Sequence, residues 1–354
     1  MLSAWGWNED KTKVWMDVRN DVFWHDGSRL TPEDIVWSIQ RNAKPDGGNP
    51  VSFIWAGIDN FKIDDKRITA DVVNYDPVLF KWMAFLTGYV LPKAYFEKVG
   101  PQGFEAKPIG SGPYMVDAYE GNAYLRLKAH PKYWGGKPPF DTVVFKFVPD
   151  ATTRVAKIES GASDLTLEVP YEEYDRLKGK AGLKGVCKPT CDLGLLFITN
   201  GGVMDDKNVR LAMCHAVDKQ SIIKRLLRGY GTVIDEVAKH FELRMTHKLA
   251  PAAFYNWGNY IGDPTTSTGF AMWSKSPHSA WHSDDLDAKI TPLWAEKDEA
   301  RRIQGWKDAD RYIAEQGYVL PLLQYAQPIL YKSDLKVTHN TSGALLPASL
   351  IEKA

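Results

Sequence analysis

The apolar residues of this 354-residue chain fall into short runs whose spacing changes once along the chain. Up to about residue 140 they alternate with polar neighbours, as at Val14, Met16 and Val18, which is the period of a half-buried strand. From about residue 141, continuous apolar runs alternate with segments of helical spacing. Strands that alternate with helices are typical of α/β domains. The sequence therefore predicts an α/β fold whose first 140 residues are rich in strands.

Local signals predict where the clearest elements begin and end. Thr31 as N-cap and Pro32 at the first helical position predict a helix that follows a turn at 25–27. The nearly continuous β-branched and aromatic run 142–148 predicts a strand that is buried on both faces. Further expected elements are one amphipathic helix over 209–227, one long helix over about 284–316, and strands around 319–323 and 328–331.

Composition excludes several classes of protein. Lysine plus arginine and aspartate plus glutamate both number 44, so the chain lacks the basic excess of a nucleic-acid-binding protein. No apolar run approaches the roughly 18–20 residues that span a bilayer. The first residues also lack the cationic start and apolar stretch of a signal peptide, which by itself favours a cytoplasmic protein. Three cysteines form no disulfide framework, although a local Cys187–Cys191 bridge and free thiols both stay open.

Candidate catalytic and metal motifs have simpler structural explanations. The glycine-serine-glycine segment 110–112 lacks the lysine of a phosphate-binding loop and the G-x-S-x-G order of a nucleophile elbow. His278 and His282 have a spacing that a metal could use on a helix, but Pro277 favours a loop there. His240, Glu242 and His247 lack the H-E-x-x-H order. The sequence therefore predicts no catalytic residue, no metal site and no cofactor.

Four segments resemble a single protein family, and they occur in the order which that family has. They are Phe23-Trp24-His25-Asp26-Gly27 with Leu30-Thr31-Pro32-Glu33-Asp34, Pro108-Ile109-Gly110-Ser111-Gly112-Pro113-Tyr114, Asn208-Val209-Arg210-Leu211-Ala212 with Ala216-Val217-Asp218-Lys219, and Gly317-Tyr318-Val319-Leu320-Pro321-Leu322. One match alone would be weak, whereas four ordered matches cover nearly the whole chain. The chain resembles the extracytoplasmic solute-binding proteins of ABC importers, family 5, typified by oligopeptide- and dipeptide-binding proteins.

The resemblance implies a periplasmic-binding-protein-like fold. Such a fold has two α/β lobes with mixed sheets, joined by a hinge, and a β-rich insert subdomain in the first lobe. We expect the insert at 1–140, the first lobe at 141–235 and 337–354, and an incomplete second lobe at 236–336. Compared with the family pattern, the chain is expected to be shortened at its N-terminus and after about residue 236.

The resemblance also implies a ligand site in the second lobe. The family has a W-x-x-D stretch there, whose backbone pairs with an extended ligand and whose aspartate holds a peptide ammonium group. Trp257 and Gly258 match this stretch, but Tyr260 stands where the aspartate belongs, and Asp263 comes three residues later. Trp257 could instead belong to the core. The expected ligand-binding residues are Tyr255, Asn256, Trp257, Gly258, Asn259, Tyr260 and Asp263.

The expected function follows from the same resemblance. The protein would be a monomer, located in the periplasm, that captures a peptide or small-molecule ligand between its lobes and delivers it to an ABC permease in the membrane. It would bind no nucleic acid and would not be an enzyme. Alternatives are a non-peptide ligand (an opine, an oligosaccharide or a metal chelate), a metal-independent hydrolase, and a remnant that binds nothing.

Overall fold

The computed structural model describes residues 1–44, 52–230, 252–276, 278–279, 281–340 and 348–354. The chain forms two compact units, Met1–Val148 and Pro149–Ala354. Both units combine β-sheets with helices, as the expected α/β fold class requires. Its expected boundary near 140 lies close to the division between the two units. The further division of the second unit into parts of two lobes stays a prediction.

In the described residues of the first unit there are two antiparallel sheets and four α-helices. Its elements are β1 (Leu2–Trp7), β2 (Lys13–Val18), α1 (Pro32–Asn42), α2 (Ser52–Trp55), β3 (Ile58–Asp64), β4 (Arg67–Val72), α3 (Leu79–Trp82) continued by a π-helix (Met83–Thr87), α4 (Lys93–Ala106), β5 (Tyr114–Glu120), β6 (Tyr124–Ala129) and β7 (Thr142–Lys146). The strand orders are β1-β2-β4-β3 and β5-β6-β7. Val14, Met16 and Val18 of β2 are buried, so the predicted alternation is correct.

Helix α1 begins where its capping residues predict. The Thr31 hydroxyl accepts a hydrogen bond from the Asp34 amide, and the Asp34 carboxylate accepts one from the Thr31 amide. Both exchanges satisfy amide groups that have no partner within the helix. Asp34 also accepts a bond from the Lys93 amide at 2.8 Å, which joins the starts of α1 and α4.

The prediction that 142–148 is buried on both faces is wrong. Strand β7 is an edge strand, and Phe145 and Phe147 in this segment are 41% and 44% exposed. The neighbouring strand β6 carries Arg126 and Lys128, both of which pair with Asp117 on β5. These charges keep one face of the sheet in solvent, so a continuous apolar run did not indicate burial on both sides.

The second unit is built on one long antiparallel sheet with the order β10-β9-β11-β8. Its elements are α5 (Ala151–Glu159), β8 (Leu165–Thr166), α6 (Tyr171–Leu177), β9 (Leu183–Ile198), α7 (Lys207–Ala216), α8 (Lys219–Ser221), β10 (Ala252–Gly258), α9 (Phe270–Met272), α10 (Asp284–Ile290), α11 (Glu299–Gln316), β11 (Val319–Lys332), β12 (Leu335–Val337) and β13 (Ile351–Lys353). Single turns of 3₁₀-helix lie at Gly202–Asp205, Thr291–Trp294 and Ala348–Leu350, and π-helical turns at Ile222–Leu226 and Thr265–Gly269.

The core of the second unit lies between this sheet and helices α10 and α11. Phe197 and Ile198 of β9 pack in one buried cluster with Leu286, Ile290 and Trp306 of the helices. This cluster fixes the positions of β9 and α11, the two elements that hold the candidate site described below.

Among the described strands every pair is antiparallel, whereas mixed sheets were expected.

Two long helices were predicted, and both are interrupted. The helix expected over 209–227 ends at Ala216, because Val217 is extended and Asp218 caps a new short helix. The helix expected over 284–316 breaks at a 3₁₀ turn that contains Pro292, and Asp298 caps its second part. A capping aspartate inside an apolar periodicity was the signal for each break.

The two closing strands form a single strand, β11. Irregular pairings lie between Pro321 and Leu323 and between Gln324 and Ala326, where β11 stays continuous but its register with β9 changes.

In the described residues no helix is long and apolar enough to cross a membrane.

Candidate functional site

The predicted ligand-binding residues lie on β10 and on the loop that follows it. Strand β10 pairs with β9, so that Trp257 lies opposite Leu193 and Gly258 lies opposite Asp192. The backbone of Tyr255, Asn256 and Trp257 therefore belongs to the sheet, as a strand needs if it is to sit beside an extended ligand. The side chains of these three residues lie outside the described part of the structure. Whether Trp257 lies in a cleft or in the core stays open.

An irregularity in the sheet shapes the site. Regular pairing of β9 with β11 ends at Leu193 and resumes at Pro189. Residues 190–192 of β9 therefore lie across from Tyr325 alone. Such bulges bend a strand and redirect its side chains, and they occur frequently beside active and binding sites. Here the bulge brings the Asp192 carboxylate next to the loop after β10.

Two hydroxyl groups lie against the Asp192 carboxylate, and the residue that carries one of them is held in place by a third side chain. The Tyr260 hydroxyl donates a hydrogen bond to Asp192 Oδ1 at 2.6 Å. The Thr190 hydroxyl lies 3.4 Å from Asp192 Oδ2 and 3.3 Å from the Tyr325 carbonyl oxygen, and it can donate its one hydrogen to either. Thr190 is itself fixed, because the Gln324 side-chain amide donates to its carbonyl oxygen at 2.7 Å. The carboxylate therefore has a defined position.

Gly258 makes this arrangement possible. A Cβ atom at Gly258 would clash with the Tyr260 ring and would lie 2.7 Å from Asp192 Oδ1. The absence of a side chain lets Tyr260 fold back across β10 to reach Asp192. Glycine in a strand often marks such a close approach.

The charge of Asp192 is only partly compensated. Burial raises the pKa of Asp192, and the hydrogen bonds from Tyr260 and Thr190 oppose that rise without cancelling it. No lysine, arginine or histidine among the described residues forms an ion pair with it. Burial, together with the nearby Asp192 charge, raises the pKa of Tyr325 to about 12. The Tyr325 hydroxyl is buried and has no hydrogen-bond partner within the described parts of the chain.

Asp263 forms a buried ion pair with Arg302. Its two carboxylate oxygens accept hydrogen bonds from the Arg302 guanidinium at 2.9 and 2.7 Å, and Asp263 and Arg302 are 0% and 2% exposed. Burial alone would raise the pKa of Asp263, but the bonds from Arg302 and Thr265 hold it well below its usual range. This pair fastens the loop to α11. Because an arginine of the protein already satisfies it, the structure argues against Asp263 as a ligand-binding residue.

Asn259 also belongs to this fastening. Its side-chain oxygen accepts bonds from the Asp263 amide at 2.7 Å and from the Thr266 hydroxyl at 2.9 Å. Of the seven predicted residues, Gly258 and Tyr260 contact Asp192, while Asn259 and Asp263 hold the loop in place. Asp192, Thr190 and Tyr325 were missed, because bringing them to this loop requires long-range strand pairing. A lone aspartate within the apolar run of β9 was the available signal.

The remaining candidate motifs of the sequence either brace the fold or bring no set of metal ligands together in the described residues. His25 accepts a hydrogen bond from the Gly110 amide at its Nδ1 and contacts the Gly112 carbonyl at its Nε2, so the turn at 25–27 and the loop at 110–112 brace each other. Within the described residues no three metal-ligating side chains come together. His240, Glu242 and His247 lie outside those residues. Cys187, Cys191 and Cys214, all of them described, form no disulfide.

An apolar cavity of about 300 Å³ lies in the first unit. Trp5, Trp55, Phe80 and Met83 are among its lining residues. None of the predicted ligand-binding residues contributes to it. We therefore place the candidate site at Asp192 and Tyr260, where polar groups converge, rather than at this cavity.

Comparisons with known proteins give consistent results. Residues 1–269 match the family described as bacterial extracellular solute-binding proteins, family 5 Middle. The dipeptide-binding protein of Escherichia coli K12 is 29% identical over 257 residues, which cover 65% of this chain and 48% of that protein. The chain thus spans about half the length of the curated relatives it matches.

Solved structures with the same fold support the match. NikA of Staphylococcus aureus in complex with Ni(L-His)₂ superposes with a TM-score of 0.84 at 16% identity, covering 100% of this chain and 90% of that one. A dipeptide-binding protein of Pseudoalteromonas sp. in complex with Met-Leu gives a TM-score of 0.83 at 16% identity, with the same two coverages. At this identity the superpositions establish the fold alone.

Proposed function

The chain belongs to the bacterial extracellular solute-binding proteins, family 5, and from that membership we propose that it captures a small solute and delivers it to the membrane permease of an ABC importer. A peptide is the first candidate ligand, since relatives of this chain are named for binding dipeptides and oligopeptides. The proposed place of action is outside the cytoplasmic membrane, and the proposed form is a monomer.

The observation that best supports binding is the polar site at the β9 bulge. Asp192, Tyr260 and Thr190 converge beside β10, which is the outermost strand of this sheet among the described strands. Ligand sites in proteins are typically concave and mostly apolar, with a few polar groups placed to fix the ligand. An edge strand next to such groups can add an extended ligand by backbone pairing. The proposed ligand position is therefore alongside β10 and over Asp192.

The proposed mechanism is reversible capture. Two-lobed binding proteins close about a hinge when the ligand contacts both lobes, and the closed form is what a permease recognises. Asp192 contributes a fixed charge, Tyr260 holds that charge in place, and the Asp263–Arg302 pair fixes the loop that carries Tyr260. None of these roles requires a bond in the ligand to break, and the relatives are named as binding proteins.

A thermal-shift screen tests this proposal directly. The panel contains dipeptides, tripeptides, opines, oligosaccharides and nickel–histidine chelates, and each hit is measured by calorimetry. A ligand at a hundred times its Kd should stabilise the folded state by about 2.7 kcal/mol. We expect at least one class to raise Tm saturably, with one ligand bound per chain. If no class raises Tm and no ligand copurifies with the protein, the proposal fails.

A further inference from the structure

The carboxylates of Asp192 and Asp263 in the second unit are both buried, and their surroundings differ. Asp263 faces a buried arginine that bonds both of its oxygens. Asp192 is 9% exposed, and the groups that bond it are the neutral hydroxyls of Tyr260 and Thr190. Removing a carboxylate from water is costly unless a cation offsets the loss. The fold supplies that cation for Asp263, whereas the described residues supply none for Asp192.

The surroundings of Asp192 are built to hold the carboxylate in this position. The bulge in β9 turns it toward the loop, and Gly258 leaves room for Tyr260 to reach it. Gln324 fixes Thr190, which lies beside the second carboxylate oxygen. An ionised carboxylate has about four acceptor positions. The donors that the described residues supply are the hydroxyls at 2.6 and 3.4 Å, so within that part of the chain acceptor positions stay open for a further donor.

A second polar group at the site is also unsatisfied. Tyr325 is 7% exposed, and its hydroxyl has no partner among the described residues. It lies on β11 at the bulge, across from residues 190–192. A buried hydroxyl without a hydrogen bond is disfavoured, so it too is suited to a ligand that brings hydrogen-bonding groups.

Resting on the proposed solute-binding function, we infer that Asp192 selects ligands that carry a cationic nitrogen, such as a protonated amine or a guanidinium. A cation beside Asp192 forms a charge-assisted hydrogen bond, which is about twice as strong as a neutral one. A neutral ligand would leave the buried charge uncompensated, and an anionic ligand would be repelled. The cation can be a peptide α-ammonium or a basic side chain, since both have the same chemistry.

Calorimetry with matched pairs of probes tests this inference. The members of each pair differ only at nitrogens that are protonated in the cationic member and uncharged in the neutral member: Ala-Ala and N-acetyl-Ala-Ala, Ala-Lys and its form acetylated on both amines, and octopine and an analogue with a urea in place of the guanidinium, both of which keep the protonated secondary amine. We expect wild-type protein to bind the cationic member of at least one pair about thirtyfold more tightly than the neutral member. Asp192→Asn should lose that preference while keeping its affinity for the neutral member within about threefold.

Two further variants control for general effects. Tyr260→Phe keeps the ring over Gly258 but removes the hydroxyl, so it should reduce the preference for the cation without removing it. Asp310→Asn changes another carboxylate of this unit, one that accepts a hydrogen bond from the Thr268 hydroxyl, and it should leave both affinities unchanged.

The melting temperature of Asp192→Asn should equal or exceed that of wild type, because the substitution removes an uncompensated charge. A loss of Tm would point to a structural role and would contradict the inference.

The remaining outcomes separate the two proposals. Equal binding of both members of every pair, or binding of neutral or anionic solutes alone, overturns the role of Asp192 and leaves solute binding standing. A preference that survives in Asp192→Asn overturns it as well. If wild-type protein binds no probe and no member of the wider ligand panel, both proposals fail.

Discussion

At the scale of single residues, the role of each carboxylate in the candidate site depends on which side chain lies against it. Asp263 looked like a ligand-binding residue because it follows the tryptophan-glycine motif, and a sequence does not show which arginine will lie against it. Arg302 is 39 residues away and reaches Asp263 because α11 packs against the loop. Tyr260 occupies the position expected of an aspartate, and its hydroxyl instead contacts an aspartate on another strand. Motif matching pointed to this loop but did not point to Asp192, the carboxylate that Tyr260 contacts.

Breaking the Asp263–Arg302 pair should destabilise the second unit strongly. Asp263→Asn leaves a buried guanidinium without its counter-charge, and breaking such a pair costs about 3–5 kcal/mol. Denaturant unfolding followed by circular dichroism measures this loss. Replacing both partners, as in Asp263→Leu with Arg302→Met, should be less destabilising than Asp263→Asn. An Asp263→Asn protein as stable as wild type would show that the pair does not hold the loop.

The Asp263–Arg302 pair should make the free energy of unfolding depend on pH in the acidic range. The pKa of Asp263 is lower in the folded state than in the unfolded state, where an aspartate has a pKa of about 3.9. Its contribution is therefore complete above pH 3.9 and is lost as the pH falls towards the folded pKa. The difference in unfolding free energy between wild type and Asp263→Asn should shrink as the pH is lowered from 5 towards 2. A difference that stays constant would contradict this.

At the scale of elements, the sequence predicted the start of a helix from neighbouring residues, but it did not predict features that depend on how distant strands pair. Thr31 and Pro32 place the start of α1 correctly, because capping depends on neighbours in the sequence. The breaks after Ala216 and at Pro292 were missed, since an apolar periodicity continues across them. The bulge at 190–192 could not be predicted, because it exists only in the register between β9 and β11. That bulge creates the candidate site.

Gly258 should be intolerant of even a methyl group. Gly258→Ala places a Cβ against the Tyr260 ring and Asp192, and crowding of this kind costs about 1–3 kcal/mol. We expect lower stability and weaker ligand binding, measured by denaturant unfolding and calorimetry. Adding Tyr260→Ala to Gly258→Ala should restore part of the stability by removing the clash. Gly179→Ala, where a Cβ meets no atom within 4 Å, is the matched control. If Gly258→Ala behaves like that control, Tyr260 does not fold back as described.

The first unit should lose stability as its buried histidines become protonated. Burial lowers the pKa values of His25 and His130, whose rings meet edge to face at 5.1 Å. Because the folded pKa lies below the unfolded value of about 6.5, their contribution is complete above pH 6.5 and is lost on acidification through the folded pKa. Unfolding at pH 7.5 and 5 should show a smaller change in His25→Gln than in wild type. Equal changes in both proteins would contradict the prediction.

At the scale of the whole molecule, four ordered motifs predicted the family and the fold class, and both are confirmed. Such motifs indicate a fold because they fix turns and helix starts that the architecture needs, as the contacts of His25 with the loop at 110–112 illustrate. The ligand is a different matter, because related proteins bind dipeptides and nickel chelates on one scaffold. In our proposal ligand choice depends on a few side chains such as Asp192, whose neighbours Tyr260 and Tyr325 come from distant parts of the chain.

The central claim is that this protein holds a solute and releases it unchanged. Equilibrium dialysis of the purified protein against its best ligand from the screen, with mass spectrometry of both compartments, tests this claim most directly. We predict that the protein compartment retains up to one equivalent of ligand and that denaturation returns the ligand with its mass unchanged. Failure to retain any ligand, or formation of more than one equivalent of a new product, would contradict the claim.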